Sequence, residues 1–228
     1  MVRVSPSLFG MGKKKLVDAV NSAKNADFFH IDVTDGVFVK DKNGGASLFF
    51  DDSVLEIVKE NTEIPLDVHL MVADPIKHIE RYAMHNPEFL AFHIEATDDP
   101  EKVIKKIKSF AVKVVVVVNP STPLKEIEKI LDQVDKVLLM SVVPGKGGQK
   151  YMPSVTKKIK ELRTMINEKE LSVLIEVDGG IKLDNVEIPI MAGVDVIVSG
   201  TGIFNHAKLS PFEVIEKIKE VGVEWRFI

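Results

Sequence analysis

The chain has 228 residues, 45% hydrophobic and 28% charged, with a formal net charge of −4 and no cysteine. Acidic and basic residues interleave, so there is no basic field for nucleic acid, and the absent cysteines exclude disulfides, thiolate metal ligands and a cysteine nucleophile. The longest apolar stretch, residues 112–118 interrupted by Lys113, is too short to span a bilayer, and the amino terminus shows no apolar leader, so a cytoplasmic protein without membrane partners is expected.

In chain order, short apolar or β-branched runs fall at residues 2–8, 28–33, 66–72, 89–96, 112–119, 136–142, 172–178 and 195–200. Many are apolar along their whole length, as in strands covered on both faces. Segments of helical period lie between them, at 14–26, 52–60, after Asp74-Pro75, after Asp99-Pro100, and at 124–131, 153–166, 183–192 and 211–221. Each Asp-Pro pair reads as an N-cap with proline at the first helical position. Alternation at roughly 25-residue intervals implies parallel βαβ units with right-handed crossovers, and eight units fit a closed (β/α)8, or TIM, barrel. Residues 1–228 then form one domain. The alternative is an open doubly wound sheet, but no early Gly-x-Gly-x-x-Gly follows the first strand.

Active sites of such barrels sit at the carboxyl ends of the strands, and these ends are polar here. The second run carries His30 and Asp32, the third His69 and Met71, the seventh Glu176 and Asp178. Residues two apart share a strand face, so His30, Asp32, His69 and Asp178 can converge near the barrel axis. Two imidazoles with two carboxylates suit one divalent ion, zinc, iron(II), manganese(II) or cobalt(II), better than magnesium or calcium. His93 and Glu95 stand at the next strand's mouth, as orienting partners or as a satisfied polar layer. Glycines cluster after strands six, seven and eight: Gly145, Gly147 and Gly148 around Lys146, then Gly179-Gly180, then Gly200-Thr201. Backbone N–H groups freed by glycine can cradle an anion, and a phosphorylated substrate is expected there.

The stretches Ser5-Pro6-Ser7, His30-Ile31-Asp32-Val33-Thr34-Asp35-Gly36, Asp67-Val68-His69-Leu70-Met71, His93-Ile94-Glu95-Ala96, Asn119-Pro120, Pro144-Gly145-Lys146-Gly147-Gly148-Gln149 and Val177-Asp178-Gly179-Gly180 together resemble the ribulose-phosphate 3-epimerase family. The resemblance implies that His30, Asp32, His69 and Asp178 bind the metal, zinc first among the candidates. It implies that Asp32 and Asp178 are the acid/base pair, and that Ser7 is a hydroxyl beside them. Met71 and Met140 would line the reaction plane, and the glycine loops with Thr201 would hold the phosphate. A homo-oligomer is the family's habit. The chain departs from the family pattern at Thr34, Lys40-Asp41 and Lys146. Phe204-Asn205-His206-Ala207, with residues 27–32, resembles the allulose-6-phosphate 3-epimerase branch, so either a pentulose or a hexulose phosphate fits.

Epimerisation beside a carbonyl needs an acid and a base on opposite faces of a planar enediolate, and a metal as Lewis acid for its charge. Competing functions are a phosphate-binding barrel aldolase or decarboxylase, or a barrel that only binds a sugar phosphate. No strand end offers a clear inward lysine for a Schiff base. The Asp-x-Lys-x-x-Asp stretch of related decarboxylase and hexulose-phosphate synthase barrels is absent at residues 67–71.

Overall fold

The computed structural model describes residues 2–40, 46–49 and 52–224. Eight parallel strands carry the barrel: β1 (Arg3–Pro6), β2 (Phe29–Lys40), β4 (Leu66–Met71), β5 (Phe89–His93), β6 (Lys113–Val118), β7 (Lys136–Met140), β8 (Leu174–Asp178) and β9 (Val196–Ser199). Strand β3 (Ala46–Phe49) is an antiparallel flap on the long outer end of β2. The hydrogen-bonded order is β1-β9-β8-β7-β6-β5-β4-β2-β3. The circle closes between β1 and β2 through a parallel bridge, Ser7 to His30, where Leu8 N donates to His30 O at 3.1 Å. The flap is not expected from the sequence; Asp41, one of the departures from the family pattern, lies outside the described residues.

The all-valine run of β6 shows why the strands read as continuous apolar blocks. Val114 to Val118 are all fully buried, alternate residues facing the helices and the barrel interior. The interior is filled by Phe28, Phe89, Ala91, Val115, Val117, Leu138, Met140, Val142 and Val196. A separate, larger apolar layer lies between strands and helices. Among the described residues no helix is long and apolar enough to cross a membrane.

The helices are α1 (Lys13–Ser22), α2 (Asp52–Asn61), α3 (Ile76–Ala83), α4 (Pro100–Lys108), α5 (Ser154–Glu168), α6 (Glu187–Met191), α7 (Thr201–Phe204) and α8 (Pro211–Glu224). Asp99 caps α4 by accepting from Lys102 N at 3.1 Å, with Pro100 in the first turn and three lysines in the last. The helix expected over 124–131 is replaced by two 3-10 turns, Leu124–Glu126 and Leu131–Gln133. Leu124, Ile127 and Ile130 recur every three residues, the repeat of a 3-10 helix, and all three are buried. The segment expected over 183–192 is helical only in α6, and the short α7, not expected, follows β9 directly.

The amino ends of the strands share one fastening. Asp27, Asp135 and Asp195 each precede a strand and accept from the N–H of a residue at a neighbouring strand: Val4 at 2.8 Å, Val114 at 2.7 Å and Ile175 at 2.9 Å. These carboxylates satisfy donors that the twisted ladder leaves over at the floor of the barrel, leaving the opposite end free to carry loops.

Candidate active site and metal centre

The strand ladder places the four predicted ligands at the carboxyl end of the barrel. Asp32 on β2 is in register with His69 on β4, and His30 with Asp67 one pair deeper; Met140 on β7 is level with Asp178 on β8. One donor atom from each of His30, Asp32, His69 and Asp178 lies within 4.8 Å of the others. His69 Nδ1 is 3.0 Å from Asp32 Oδ1, and His30 Nε2 is 3.4 Å from both that oxygen and His69 Nδ1. The side chains of His30 and His69 are fully buried.

The outward nitrogens decide what the inward ones offer. His30 Nδ1 faces Asp67 Oδ2 at 3.3 Å. His69 Nε2 faces His93 Nε2 at 2.9 Å, and His93 Nδ1 faces Glu95 Oε2 at 3.1 Å. With protons donated to Asp67 and along the His93–Glu95 chain, His30 Nε2 and His69 Nδ1 are left as lone pairs aimed at one point beside the Asp32 carboxylate. Such a concentration of lone pairs is satisfied by a cation, so the residues fit a divalent metal. His93 and Glu95 thus stand behind His69 in one hydrogen-bonded chain, the arrangement of orienting partners. Glu95 is itself held, accepting from Asn119 N at 2.8 Å.

The electrostatics describe the metal-free cluster, in which His30 is disposed to carry a second proton that a bound cation would displace. Burial lowers the pKa of His30, but the charge and hydrogen bond of Asp32, helped by Asp67, raise it well above the usual histidine value. Burial, with His30 and His93 nearby, takes His69 down to about 4 despite Asp32. Asp32 is held far below the usual carboxylate range, because His30 and His69 outweigh its burial. Asp178 is pushed up to about 7 by burial and by the charge of Asp32. Ser7 Oγ donates to Asp32 Oδ2 at 2.9 Å.

Above the cluster opens a pocket lined by Ser7, Asp32, Met71, Met140, Asp178 and the three glycine loops, including Gly145, Lys146, Gly147, Gly148, Gly179, Gly180, Gly200 and Thr201. All predicted site residues thus touch one pocket or the cluster beneath it. Met71 and Met140 are buried on opposite sides of the mouth. Lys146 is exposed on its loop, which is folded by Gln149 Nε2 donating to Val143 O and Lys146 O at 2.7 Å each. Gly180 has φ +67°, and a Cβ there would stand 2.2 Å from Tyr151 N, so only glycine lets the loops after β7 and β8 touch. The expectation missed Phe9, which also lines the pocket.

It also missed a charged layer one step deeper. Lys136 Nζ lies 2.7 Å from both Asp67 Oδ2 and Glu176 Oε2, and all three side chains are fully buried. Burial and the charge of Asp67 push Glu176 up to about 8, while Lys136 and His30 hold Asp67 low against its burial.

Barrel, paired aspartates, metal-fitting cluster and glycine-lined pocket together have the form of a (β/α)8-barrel enzyme. The model of the ribulose-phosphate 3 epimerase family matches residues 3–204. A ribulose-phosphate 3-epimerase of Bacillus subtilis is 38% identical over 210 residues, 91% of this chain and 94% of that one. Another, of Methanocaldococcus jannaschii, is 35% identical over 226 residues, 98% and 92% of the two chains. The crystal structure of 3-hexulose-6-phosphate synthase from Salmonella typhimurium aligns with a TM-score of 0.71 at 16% identity, over 98% of this chain and 100% of that one, which speaks to the fold alone. The chain belongs to the ribulose-phosphate 3-epimerase family, and is a ketose-phosphate epimerase, an isomerase.

Proposed function

We propose that this chain, acting as one domain, interconverts D-ribulose 5-phosphate and D-xylulose 5-phosphate through a cis-enediolate, with Asp32 and Asp178 as the acid/base pair. The observation that carries the reading is geometric: Asp32 on β2 and Asp178 on β8 bring carboxyl oxygens within 4.8 Å of each other and both line one pocket, and in the metal-free protein their surroundings favour one ionised carboxyl, Asp32, and one pushed up to about 7, Asp178. An epimerase needs one of each, because one face of C3 loses a proton while the other gains one. The names borne by the two relatives support the pentulose phosphate over the hexulose.

His30, Asp32, His69 and Asp178 would hold the metal, with zinc favoured by the two imidazoles and two carboxylates. When bound, it supplies a Lewis acid for the negative charge that develops on the substrate oxygens. Ser7 holds the Asp32 carboxylate in place by its hydrogen bond. Met71 and Met140 cover the reacting carbon with polarisable, uncharged surface and keep water out. The backbone of Gly145, Gly147, Gly148, Gly179, Gly180, Gly200 and Thr201 receives the phosphate, and exposed Lys146 adds charge at its rim.

A substrate carrying a phosphate dianion does not cross membranes unaided, and a cytoplasmic location is the reading that this chemistry supports. Exposed Ile188 and Met191 on α6 and Phe212 on the adjoining α8 support a homo-oligomer, which light scattering tests. The chemistry is tested by NMR in deuterated water, offering ribulose 5-phosphate and allulose 6-phosphate in parallel, with and without chelator. Chelator-sensitive exchange at C3, faster with the pentulose, is the expected result. Faster turnover of the hexulose would overturn the substrate assignment, and no exchange with either, in folded zinc-loaded protein, would overturn the chemistry.

A further inference from the structure

Lys136 begins strand β7, yet its side chain is wholly buried inside the barrel, with its ammonium 4.1 Å from the Phe89 ring centroid and 5.7 Å from that of Phe28. Taking an ammonium out of water costs several kcal/mol unless the surroundings repay it, and an apolar side chain would fill the same floor without that cost. Its neighbours across the ladder, Val115 and Leu174, are apolar. Packing therefore gives no reason for a lysine here. Its two partners do: Asp67 on β4 and Glu176 on β8, each 2.7 Å away.

Asp67 Oδ2 is shared. The oxygen that binds the ammonium also faces His30 Nδ1 at 3.3 Å. A neutral imidazole carries one proton. If an ionised carboxylate accepts it at Nδ1, Nε2 is left as a lone pair pointing at Asp32 and His69. An ionised carboxylate so deep in the barrel needs a countercharge, and Lys136 is the cation in contact with it. Glu176 holds the other side of the ammonium and sits two residues before Asp178, so the same lysine ties the strand of one ligand to the strand of another.

We propose that Lys136 is a positioning residue for the metal centre: by pairing with Asp67 beneath the cluster, it keeps His30 in the tautomer that turns Nε2 toward the ion. This rests on the metal reading given above.

The test compares wild type with Lys136→Met and with Lys136→Met/Asp67→Asn, in which acid and base are removed together so that no buried charge is stranded. Folding is followed by circular dichroism, zinc affinity by competition with a chromophoric chelator, and the His30 tautomer by imidazole ¹⁵N shifts of metal-free protein held above the pH at which His30 loses its second proton. The expected result is zinc binding weakened roughly 10- to 100-fold in each folded variant, the range for loss of a partner behind a ligating histidine, with the His30 Nδ1–H signature lost. A purely structural lysine would lower the melting temperature of Lys136→Met, recover it in the double variant, and leave zinc affinity and the His30 tautomer unchanged in Lys136→Met, where Asp67 is still present. That outcome overturns this proposal alone. A wild-type protein that binds neither zinc, manganese(II) nor cobalt(II) would overturn both this proposal and the metal reading.

Discussion

Asp32 and Asp178 bring carboxyl oxygens within 4.8 Å of each other from strands β2 and β8, and their surroundings drive them apart in proton affinity. Two histidines beside Asp32 favour its charge, while Asp178 has burial and the charge of Asp32 against it. Two like charges this close cannot both be held cheaply in a low-dielectric pocket, so the second carboxyl keeps a proton. The pair is coupled, and the split belongs to the site as a whole.

Asp32→Asn and Asp178→Asn should each fall below about a hundredth of wild-type turnover, a loss in the range for removing a positioned acid or base, with the fold intact by circular dichroism. Each also removes a ligand, so zinc affinity should fall in parallel. Activity above a hundredth in either variant would end the paired-carboxylate assignment.

Metal binding should depend on pH in a defined direction. Ligands must be deprotonated to bind, and in metal-free protein Asp178 titrates near 7 while His30 titrates well above 6.5. Below both values the ion must displace their protons, so affinity rises with pH, by about tenfold per unit for each proton displaced. It levels off once the pH has passed both values. Isothermal calorimetry at pH 6 in buffers of different ionisation enthalpy should show net proton release. Binding at pH 6 with no release would contradict the site.

The period-two pattern of the strands lets His30, Asp32, His69 and Asp178 converge, because burial on both faces leaves polar residues only one inward stripe to occupy. The same alternation puts Lys136 on the inner face with Leu138 and Met140. Attention to strand ends hid it, since Lys136 opens its strand and Asp67 and Glu176 lie one step below the mouth. The 124–131 segment departs from the expected helix for a different reason. Leu124, Ile127 and Ile130 satisfy both a loose helical pattern and the three-residue repeat of a 3-10 turn, and in seven or eight residues those periods barely diverge. The β2–β3 flap was not legible, as β2 runs past the barrel rim into a segment with no alternating pattern of its own.

The His69–His93–Glu95 chain makes a prediction about a residue remote from the pocket. Glu95→Gln keeps the shape but replaces a carboxylate acceptor at His93 Nδ1 with a neutral one, so the proton order that leaves His69 Nδ1 free is less strongly imposed. Zinc affinity should drop roughly tenfold, the low end for loss of such a partner, with KM little changed because Glu95 does not line the pocket. A rise in KM at unchanged zinc affinity would mean that Glu95 serves the loop it holds through Asn119 N.

Gly180 and Gly148 separate backbone strain from collision. Both have positive φ, +67° and +75°, and both line the pocket proposed for the phosphate. A Cβ on Gly148 meets nothing within 4 Å, whereas on Gly180 it would stand 2.2 Å from Tyr151 N and 2.6 Å from the Lys150 carbonyl carbon. Gly148→Ala should therefore cost only the strain, about 1 to 2 kcal/mol at a single left-handed residue. Gly180→Ala should cost more, because rigid backbone must move and the loops after β7 and β8 must part. Catalytic efficiency should fall up to roughly a hundredfold, as expected when bound substrate is displaced by about 1 Å, and inhibition by inorganic phosphate should weaken with it. Thermal unfolding and phosphate competition on the two variants decide the point: equal losses would show that the glycines matter only for their dihedral angles and that contact between the loops does not shape the cradle.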